Sequence, residues 1–274
     1  MTYSMQKYPR TKHIEGSRFQ VGDEDLGAVP FEKLKGCNLV VEEKVDGANS
    51  AVSFNRNGDL LLQSRGHYLV GGLREKHFNL FKQWGEVHRQ AFYEVLGDRY
   101  VMFGEWVYAK HTVFYDALPH YFMEFDIFER ETSKFLDTPT RHAMLRDLPV
   151  VSVPVLHSGK VKSLKNLVSM IGPSNFIRPG HIERMAEFCK NHDINVEIAM
   201  RETDRSTTME GLYVKHEEDG RIVDRFKYVR SAFLQQAVSS GSHWLARPII
   251  PNQLRGTIDD IFLPELPEWN EVDE

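Results

Sequence analysis

A lysine set among acidic residues is the part of this sequence with the clearest chemical potential. Lys44 lies in the stretch VEEKVDGANS (41–50), where Glu42 and Glu43 precede it and Asp46 follows it. A lysine on a half-buried strand either extends its amine to solvent or is held in place for a purpose. Its pKa, ordinarily about 10.4, keeps the amine protonated at neutral pH, so it acts as a nucleophile only when neighbouring cations or desolvation lower that pKa. The sequence thus offers Lys44 either as a nucleophile or as a surface charge beside a turn.

Other common nucleotide and metal motifs are missing from the sequence. The phosphate-binding pattern G-x-x-x-x-G-K-[ST] and the dinucleotide pattern G-x-G-x-x-G do not occur. H-E-x-x-H and C-x-x-C are also absent, and the twelve histidines are scattered rather than grouped as zinc ligands. The K-x-D-G tetrapeptide at 44–47 is weak by itself, because average residue usage produces one by chance in roughly one chain of this length in twenty. Its significance depends on what accompanies it.

The elements around this motif are mostly strands joined by tight turns. The pairs Asn57-Gly58 and Asp219-Gly220 each predict the turn of a two-stranded hairpin. Apolar spacing predicts a helix over 73–97. Single strands are expected at 38–43, 100–107 and 120–129. Antiparallel hairpins dominate this order, which indicates an α+β fold rather than a doubly wound parallel sheet.

Five further elements follow the lysine motif in a fixed order. They are QSRG with Arg65, FGEW with Glu105, MEFDIF with Phe125 and Asp126, EGLYVK with Glu210 and Lys215, and RFKYVR with Lys227. Six elements in one order are not a plausible accident. The set resembles the covalent nucleotidyltransferases, which are DNA ligases, RNA ligases and mRNA-capping enzymes. It is most similar to the RNA ligase 2 type, and the resemblance spans residues 42–230.

Two details refine this resemblance. Asn49 also matches the RNA ligase 2 pattern, and the stretch 105–122 is similar to RNA ligases rather than DNA ligases. Arg225 stands where that type carries a lysine, which keeps the charge but changes the detailed phosphate contact.

The resemblance implies that Lys44 attacks the α-phosphate of ATP, expels pyrophosphate and holds AMP as a phosphoramidate. The AMP then passes to the 5′-phosphate of an RNA, and an RNA 3′-hydroxyl displaces it to seal the strand. Lys215, Lys227 and bound Mg²⁺, or Mn²⁺ in its place, are expected to surround Lys44 with positive charge and release its proton. The resemblance further implies that Asp46 organises the turn and that Asn49 acts after lysine adenylylation.

The other matching residues are implied to hold ATP and its metal. Those expected around the nucleotide are Glu43 at the adenine edge, Phe125 on the base, and Arg65, Glu105, Lys215 and Lys227 on the ribose and phosphates. Asp126 and Glu210 are expected either to bind the metal, because hard carboxylate oxygens suit Mg²⁺, or to orient a lysine. For each of these side chains the alternative is a structural role, such as a core aromatic, a buried ion pair or a solvated carboxylate.

The resemblance also implies a nucleotidyltransferase domain, similar to the ATP-grasp architecture, in which helices flank antiparallel sheets. We expect one domain over 1–258, with a helical insertion at about 138–205. Residues 259–274 hold seven acidic residues and no lysine or arginine, so we expect an acidic C-terminal tail there. Only 44 residues follow Arg230, so we expect no OB-fold domain of the kind that DNA ligases and capping enzymes append.

Charge does not settle whether the partner is a nucleic acid, whereas the cysteine content fits the cytoplasm. The net charge is −5, but residues 1–258 hold 34 basic and 32 acidic residues, which leaves room for a basic RNA-binding surface. Two cysteines cannot build a disulfide framework and fit a reducing compartment. The sequence has neither an apolar stretch of membrane-helix length nor the apolar segment of a signal peptide, so no membrane partner is expected. Three alternatives stay open: a DNA ligase, a GTP-using capping-type enzyme, and a catalytically inactive nucleotide- or RNA-binding module.

Overall fold

Two six-stranded sheets form the framework of the computed structural model, which describes residues 4–19, 23–233 and 248–263. The strands are β1 (Lys12–Ile14), β2 (Ala28–Val29), β3 (Leu39–Lys44), β4 (Ala48–Phe54), β5 (Leu60–Ser64), β6 (Tyr100–Trp106), β7 (Phe122–Glu129), β8 (Lys134–Phe135), β9 (Val151–Ser152), β10 (Val155–Gly159), β11 (Gly211–Glu218) and β12 (Arg221–Val229). The α-helices are α1 (Asn79–Val87), α2 (Arg89–Leu96), α3 (Thr138–Leu145), α4 (Leu164–Val168), α5 (His181–Asn191) and α6 (Val196–Arg201). The prediction of an α+β fold is confirmed.

Most strand pairs in the two sheets are antiparallel. The first sheet has the order β10-β3-β11-β12-β1-β2, and the second has the order β5-β4-β6-β7-β8 with β9 beside β7. The parallel pairs are β1 with β12, β1 with β2, and β7 with β9. Both predicted hairpins form, as β4–β5 and β11–β12. At the second turn Asp219 and Gly220 both have positive φ, as a tight hairpin turn of this kind requires.

Side chains alternate between the two faces of each strand and so build three apolar layers. Helices α1 and α2 cover the outer face of the second sheet, with Phe81 and Trp84 fully buried there. Helix α4 covers the outer face of the first sheet through Leu167. A third apolar cluster joins the inner faces, where Phe103 and Phe128 of the second sheet meet Ile222 of the first.

Two segments differ in detail from their predicted form. The predicted helix at 73–97 begins as a 3-10 helix (Leu73–Phe78) and divides into α1 and α2 at His88, whose φ of −98° and ψ of 9° depart from helical values. The segment 138–205, expected to be a helical insertion, contains α3 to α6 but also β9 and β10. Because β10 pairs with β3, this segment completes the first sheet beside the strand that carries Lys44.

The described C-terminal segment ends in a 3-10 helix at Ile258–Ile261. Its Ile261 is buried, and the backbone carbonyl of Ile261 hydrogen-bonds the ring of the buried His120 at 2.9 Å. Residues 264–274, which hold most of the expected acidic tail, lie outside the described residues. No helix within the described ranges has both the length and the apolar character needed to cross a bilayer.

Candidate active site

The K-x-D-G motif lies where the chain passes from one sheet to the other. β3 ends at Lys44 in the first sheet, and β4 begins at Ala48 in the second. An open cleft of about 840 Å³ lies beside this crossing, a volume typical of small-molecule sites. The predicted site residues that line the cleft are Glu43, Lys44, Asp46, Asn49, Arg65, Glu105, Phe125 and Lys227. The fold therefore brings eight of the eleven predicted residues to one place.

Close backbone packing fixes the turn after Lys44. A Cβ atom at Gly47 would lie 2.7 Å from the carbonyl oxygen of Trp106, so only glycine fits without a shift of the neighbouring strand. The Asp46 carboxylate accepts hydrogen bonds from the backbone N–H groups of Thr112 at 2.7 Å and Val113 at 3.0 Å. The aspartate thus ties the crossing to the segment that follows β6.

The amine of Lys44 is held among carboxylates. Its Nζ donates to Glu210 Oε2 at 2.7 Å, and the Glu210 side chain is fully buried. Gly211 pairs opposite Lys44 across β3 and β11, and a Cβ there would lie 1.9 Å from the carbonyl oxygen of Tyr228. The Glu-Gly pair of EGLYVK thus delivers a carboxylate to the amine at a point where the backbones are too close for any side chain. On the other sheet, Glu105 Oε1 accepts from the N–H of Gly47 at 3.1 Å.

These charges determine the protonation of the site. Burial lowers the pKa of Lys44, but the carboxylates of Glu210, Glu105 and Asp46 outweigh it, so that the net pKa lies above the ordinary value. Burial raises the pKa of Glu105 to about 8 and that of Glu210 to about 7, against the opposing pull of Lys44. At neutral pH Lys44 is therefore an ammonium, while burial favours the protonated forms of Glu105 and Glu210.

Glu43 faces away from the amine, as strand alternation requires. Its carboxylate accepts from the Ser174 hydroxyl at 2.5 Å, the Asn175 backbone N–H at 3.1 Å and the Asn175 side-chain amide at 2.7 Å. Burial raises the pKa of Glu43, and these hydrogen bonds oppose that rise. The residue next to the lysine therefore links β3 to the 138–205 segment.

Three further predicted residues lie around the cleft. Phe125 packs edge-to-face with Tyr8, with ring centroids 5.1 Å apart. Arg65 lies exposed in the loop after β5. Asn49 pairs opposite Glu105 across β4 and β6. Its Oδ1 is buried and has no hydrogen-bond partner among the described residues.

The three predicted residues that do not line the cleft are Glu210, which contacts Lys44 from its buried position, and Lys215 and Asp126. The Lys215 ammonium is fully buried, 2.8 Å from Glu42 and 3.0 Å from Asp126. Glu42 also binds the fully buried Arg141 at 2.5 Å, and Arg141 reaches Glu124 at 2.8 Å. These ions neutralise one another between the two sheets, because a buried charge needs a paired partner. In this structure Lys215 thus lies among buried carboxylates rather than in the cleft, and Asp126 contacts a lysine, Lys215.

Lys227 does line the cleft, and its ammonium contacts the carboxylate of Asp23. Arg225, two residues earlier on the same face of β12, does not line it. The Arg225 guanidinium lies 3.7 Å from the ring centroid of Phe135 and 5.4 Å from that of Tyr8. Arg225, which replaces the lysine of the RNA ligase 2 type, thus stacks on aromatic rings and does not place its charge in the cleft.

Sequence reasoning missed several residues that line the cleft, including Tyr8, Thr11, His77, His111 and Tyr213. Tyr213 stands two positions before Lys215, so strand alternation could have placed it on the same face. The Tyr8 hydroxyl contacts both Asp126 and the Tyr213 hydroxyl, but Tyr8 lies in an irregular segment without a comparable signal. Burial lowers the pKa of His77 to about 4, with His111 adding to the effect, so His77 is neutral at neutral pH.

Comparisons with known proteins agree with this geometry. The sequence profile of the RNA ligase family matches residues 38–229. No curated protein sequence gives a significant match. Three solved structures of Naegleria gruberi RNA ligase are similar: a mutant with ATP and Mn (18% identity, 84% of this chain, 57% of that chain, TM-score 0.51), the ligase with PPi (18%, 85%, 58%, 0.51), and a second mutant with ATP and Mn (17%, 86%, 60%, 0.51).

The chain spans less than two thirds of the length of those solved structures. At identities this low the structural likeness shows the fold alone. The family profile covers well over half of the chain, from β3 through the last strand of the hairpin that bears Lys227. This chain therefore belongs to the RNA ligase family.

Proposed function

We propose that this protein is an ATP-dependent RNA ligase that uses Lys44 as its nucleophile. The observation that carries the proposal is the position of this amine, in a nucleotide-sized cleft and 2.7 Å from the buried Glu210. A surface lysine beside a turn would extend to solvent, whereas the Lys44 side chain is only 19% exposed. Family membership supports the same activity, as do solved structures of a ligase of similar fold with ATP and Mn.

The Lys44 amine must lose its proton before it attacks phosphorus. Without ligand, the surrounding carboxylates keep its pKa raised. Lys227 lines the same cleft and opposes them, because two ammonium groups lower each other's pKa. Lys215 is neutralised by Glu42 and Asp126 and contributes little of this charge. We therefore assign Lys215 and Asp126 a supporting role between the sheets.

The remaining cleft residues supply contacts for the nucleotide. Phe125 offers an aromatic face for the base, and Arg65 and Lys227 offer charged donors for the ribose and phosphates. The carboxylate of Glu43 has about four acceptor positions, of which Ser174 and Asn175 take three. We propose that the remaining position accepts from the adenine amino group.

Mg²⁺ or Mn²⁺ is the proposed metal, and the residues that would hold it are Glu105, which lines the cleft, and Glu210, which is bonded to Lys44. Among residues 4–19, 23–233 and 248–263, no three His, Cys, Asp or Glu side chains form a metal cage. Two carboxylates nevertheless fit, because Mg²⁺ usually takes one or two together with waters and substrate phosphates. When bound, the cation neutralises charge that develops on the phosphates.

We propose that AMP then passes to an RNA 5′-phosphate and that an RNA 3′-hydroxyl displaces it. Asn49 is the proposed contact for these later steps. Its buried Oδ1, which has no partner in the part of the chain that the structure describes, is costly in the free protein, and a ligand hydroxyl or amide that donates to it would remove this cost. The cytoplasm is the proposed location, since both cysteines are free thiols.

Covalent labelling tests this function directly. The protein is incubated with α-³²P-labelled ATP and Mg²⁺ and run on a denaturing gel. We expect an acid-labile label that Lys44→Ala abolishes and that Lys35→Ala, an exposed lysine in an ion pair with Glu32, leaves unchanged. Nicked duplexes with RNA or DNA on the 3′-hydroxyl side then test the substrate, and we expect sealing only with RNA.

Each alternative function gives a different result in these assays. Label from GTP instead of ATP would indicate a capping-type enzyme. Efficient sealing of all-DNA nicks would indicate a DNA ligase. The absence of label with ATP, GTP and NAD would refute the proposed chemistry and favour a binding module.

A further inference from the structure

A buried polar cluster on the N-terminal segment lies directly behind Lys227, and the mechanism above does not use it. The carboxylate of Asp23 contacts the Lys227 ammonium, and the two side chains are 13% and 11% exposed. β1 runs parallel to β12 at this point, with His13 opposite Lys227. The chain ahead of the K-x-D-G motif thus reaches the proposed phosphate site within the first sheet, from the strand next to β12.

A chain of hydrogen bonds leads through this cluster to Asp23. The backbone N–H of Val229 donates to the Ser17 hydroxyl at 2.9 Å, and Ser17 Oγ lies 2.7 Å from His13 Nδ1. His13 Nε2 lies 3.4 Å from Asp23 Oδ2. Burial lowers the pKa of His13, and Lys227 adds to this effect, so the imidazole is neutral. A neutral imidazole has one donor and one acceptor nitrogen, and an ionised carboxylate only accepts, so Nε2 carries the proton and points it at Asp23.

Asp23 is held as an anion from several directions. Arg10 lies 3.4 Å from its Oδ1, in addition to the contacts from Lys227 and His13. Burial raises the pKa of Asp23, but the hydrogen bonds from Lys227, His13 and Arg10 more than offset it and leave the pKa below its ordinary value. The cluster therefore keeps a fixed negative charge against the back of Lys227.

We infer that Asp23 is a positioning residue for adenylylation, which holds Lys227 as a charged ammonium directed into the nucleotide cleft. This inference rests on the proposed function. An ammonium has three donors, and a contact to Asp23 leaves two of them for phosphate oxygens. His13 and Ser17 in turn fix the orientation of Asp23.

The need for such an anion follows from the surroundings of Lys227. Among the described residues, the charged and titratable groups that face it are Asp23 and His13 from the N-terminal segment, Lys44 from β3, and Glu210 just before β11. Burial lowers the pKa of Lys227, and Lys44 lowers it further, while Asp23 and Glu210 oppose them. Once Asp23 is neutral, Glu210 is the only carboxylate in this set, and it is already bound to Lys44.

The test uses Asp23→Asn, which keeps the shape of the side chain and removes its charge. Asp25→Asn is the matched control, because Asp25 binds Arg10 at 2.7 Å but makes no contact with Lys227 within the described residues. The pKa of Lys227 in the full-length protein is measured from the pH dependence of its acylation by an amine-specific reagent, followed by mass spectrometry. The KM for ATP in Lys44 labelling is measured in parallel from pH 6 to 10.

For Asp23→Asn we expect the pKa of Lys227 to fall by about one unit and, at pH values above the wild-type pKa of Lys227, the KM for ATP to rise by up to about tenfold. The alkaline limb of the KM profile should move to lower pH by the same amount. Asp25→Asn should match the wild type in both measurements. Asp23→Glu should restore most of the lost affinity, which separates a charge effect from a folding defect.

Two results would overturn the inference. One is an unchanged pKa of Lys227 and an unchanged pH profile in Asp23→Asn. The other is a lower KM for ATP, which would mean that Asp23 competes with phosphate for Lys227. If the wild type itself takes no label, the proposed function fails, whereas the acylation measurement still tests the charge link between Asp23 and Lys227.

Discussion

Replacing Glu105 by glutamine should stabilise the protein while it impairs adenylylation. In the folded state burial raises the pKa of this carboxyl from its ordinary 4.5 to about 8. A carboxyl with a raised pKa destabilises the folded state as pH rises, because the unfolded chain ionises it freely and the folded chain resists. Its stabilising effect is complete below pH about 4.5 and is lost as pH rises through about 8.

The size of the effect follows from the same values. Each unit between the unfolded and folded pKa corresponds to about 1.4 kcal/mol. Relative to its value below pH about 4.5, the free energy of unfolding of the wild type is lower by about 3 kcal/mol at pH 7 because of Glu105. Above pH 8 the reduction is about 5 kcal/mol. Glutamine carries no titrating proton, and its side-chain oxygen can still accept from the Gly47 N–H, so the variant avoids this loss.

Urea unfolding of both proteins at pH 5, 6, 7 and 8 measures the effect. The variant's advantage in free energy of unfolding should grow steadily with pH, while its rate of lysyl-AMP formation falls. Glu75→Gln is the matched control with opposite sign. Lys82 and the Gly71 N–H hold the pKa of Glu75 below its ordinary value despite burial, so that variant should be less stable than the wild type by an amount that changes little between pH 5 and 8. An advantage for Glu105→Gln that does not change with pH would refute the electrostatic account.

Two further substitutions test the framework of the site. Arg141→Met leaves Glu42 and Glu124 buried without their common partner and should cost about 3–5 kcal/mol of stability in urea unfolding. Adding Glu124→Gln should recover part of this cost, and a single variant as stable as the wild type would contradict the ion-pair assignment. Gly47→Ala places a Cβ 2.7 Å from the Trp106 carbonyl oxygen. This variant should lower the free energy of unfolding by about 1–3 kcal/mol and should also reduce the labelling of Lys44. Gly66→Ala, where a Cβ meets nothing within 4 Å, should leave both unchanged, and equal effects of the two alanines would refute the close-packing argument.

Much of the fold is visible in the sequence because local signals specify it. Turn residues such as Asp219-Gly220 identify the hairpins, and apolar alternation identifies the strands that they join. The α+β class follows from that order of elements. The order of the motifs predicts that Lys44 and Glu105 belong to one site, and both residues line the cleft.

The sequence could not separate Lys215 from Lys227, because both lie on the same face of one hairpin. Pairing register decides their positions. Gly211 pairs with Lys44, so Lys215 lies four residues, or about 13 Å, further along β11. Lys227 pairs opposite Tyr213, which lies two residues nearer to Gly211, and so to the cleft, than Lys215 does. Asp23 was equally hidden, because its approach to Lys227 depends on the parallel pairing of β1 with β12, which no short-range signal predicts.

The crossing of the chain between the two sheets has a mechanical consequence. The nucleophile ends one sheet and Glu105 belongs to the other, so the angle between the sheets sets the distance between amine and carboxylate. Phe103, Phe128 and Ile222 act as the spacer for that angle. The size of these apolar side chains thereby influences the reactivity of the Lys44 amine. Removing a methyl group from this cluster would change the rate of adenylylation as well as the packing between the sheets.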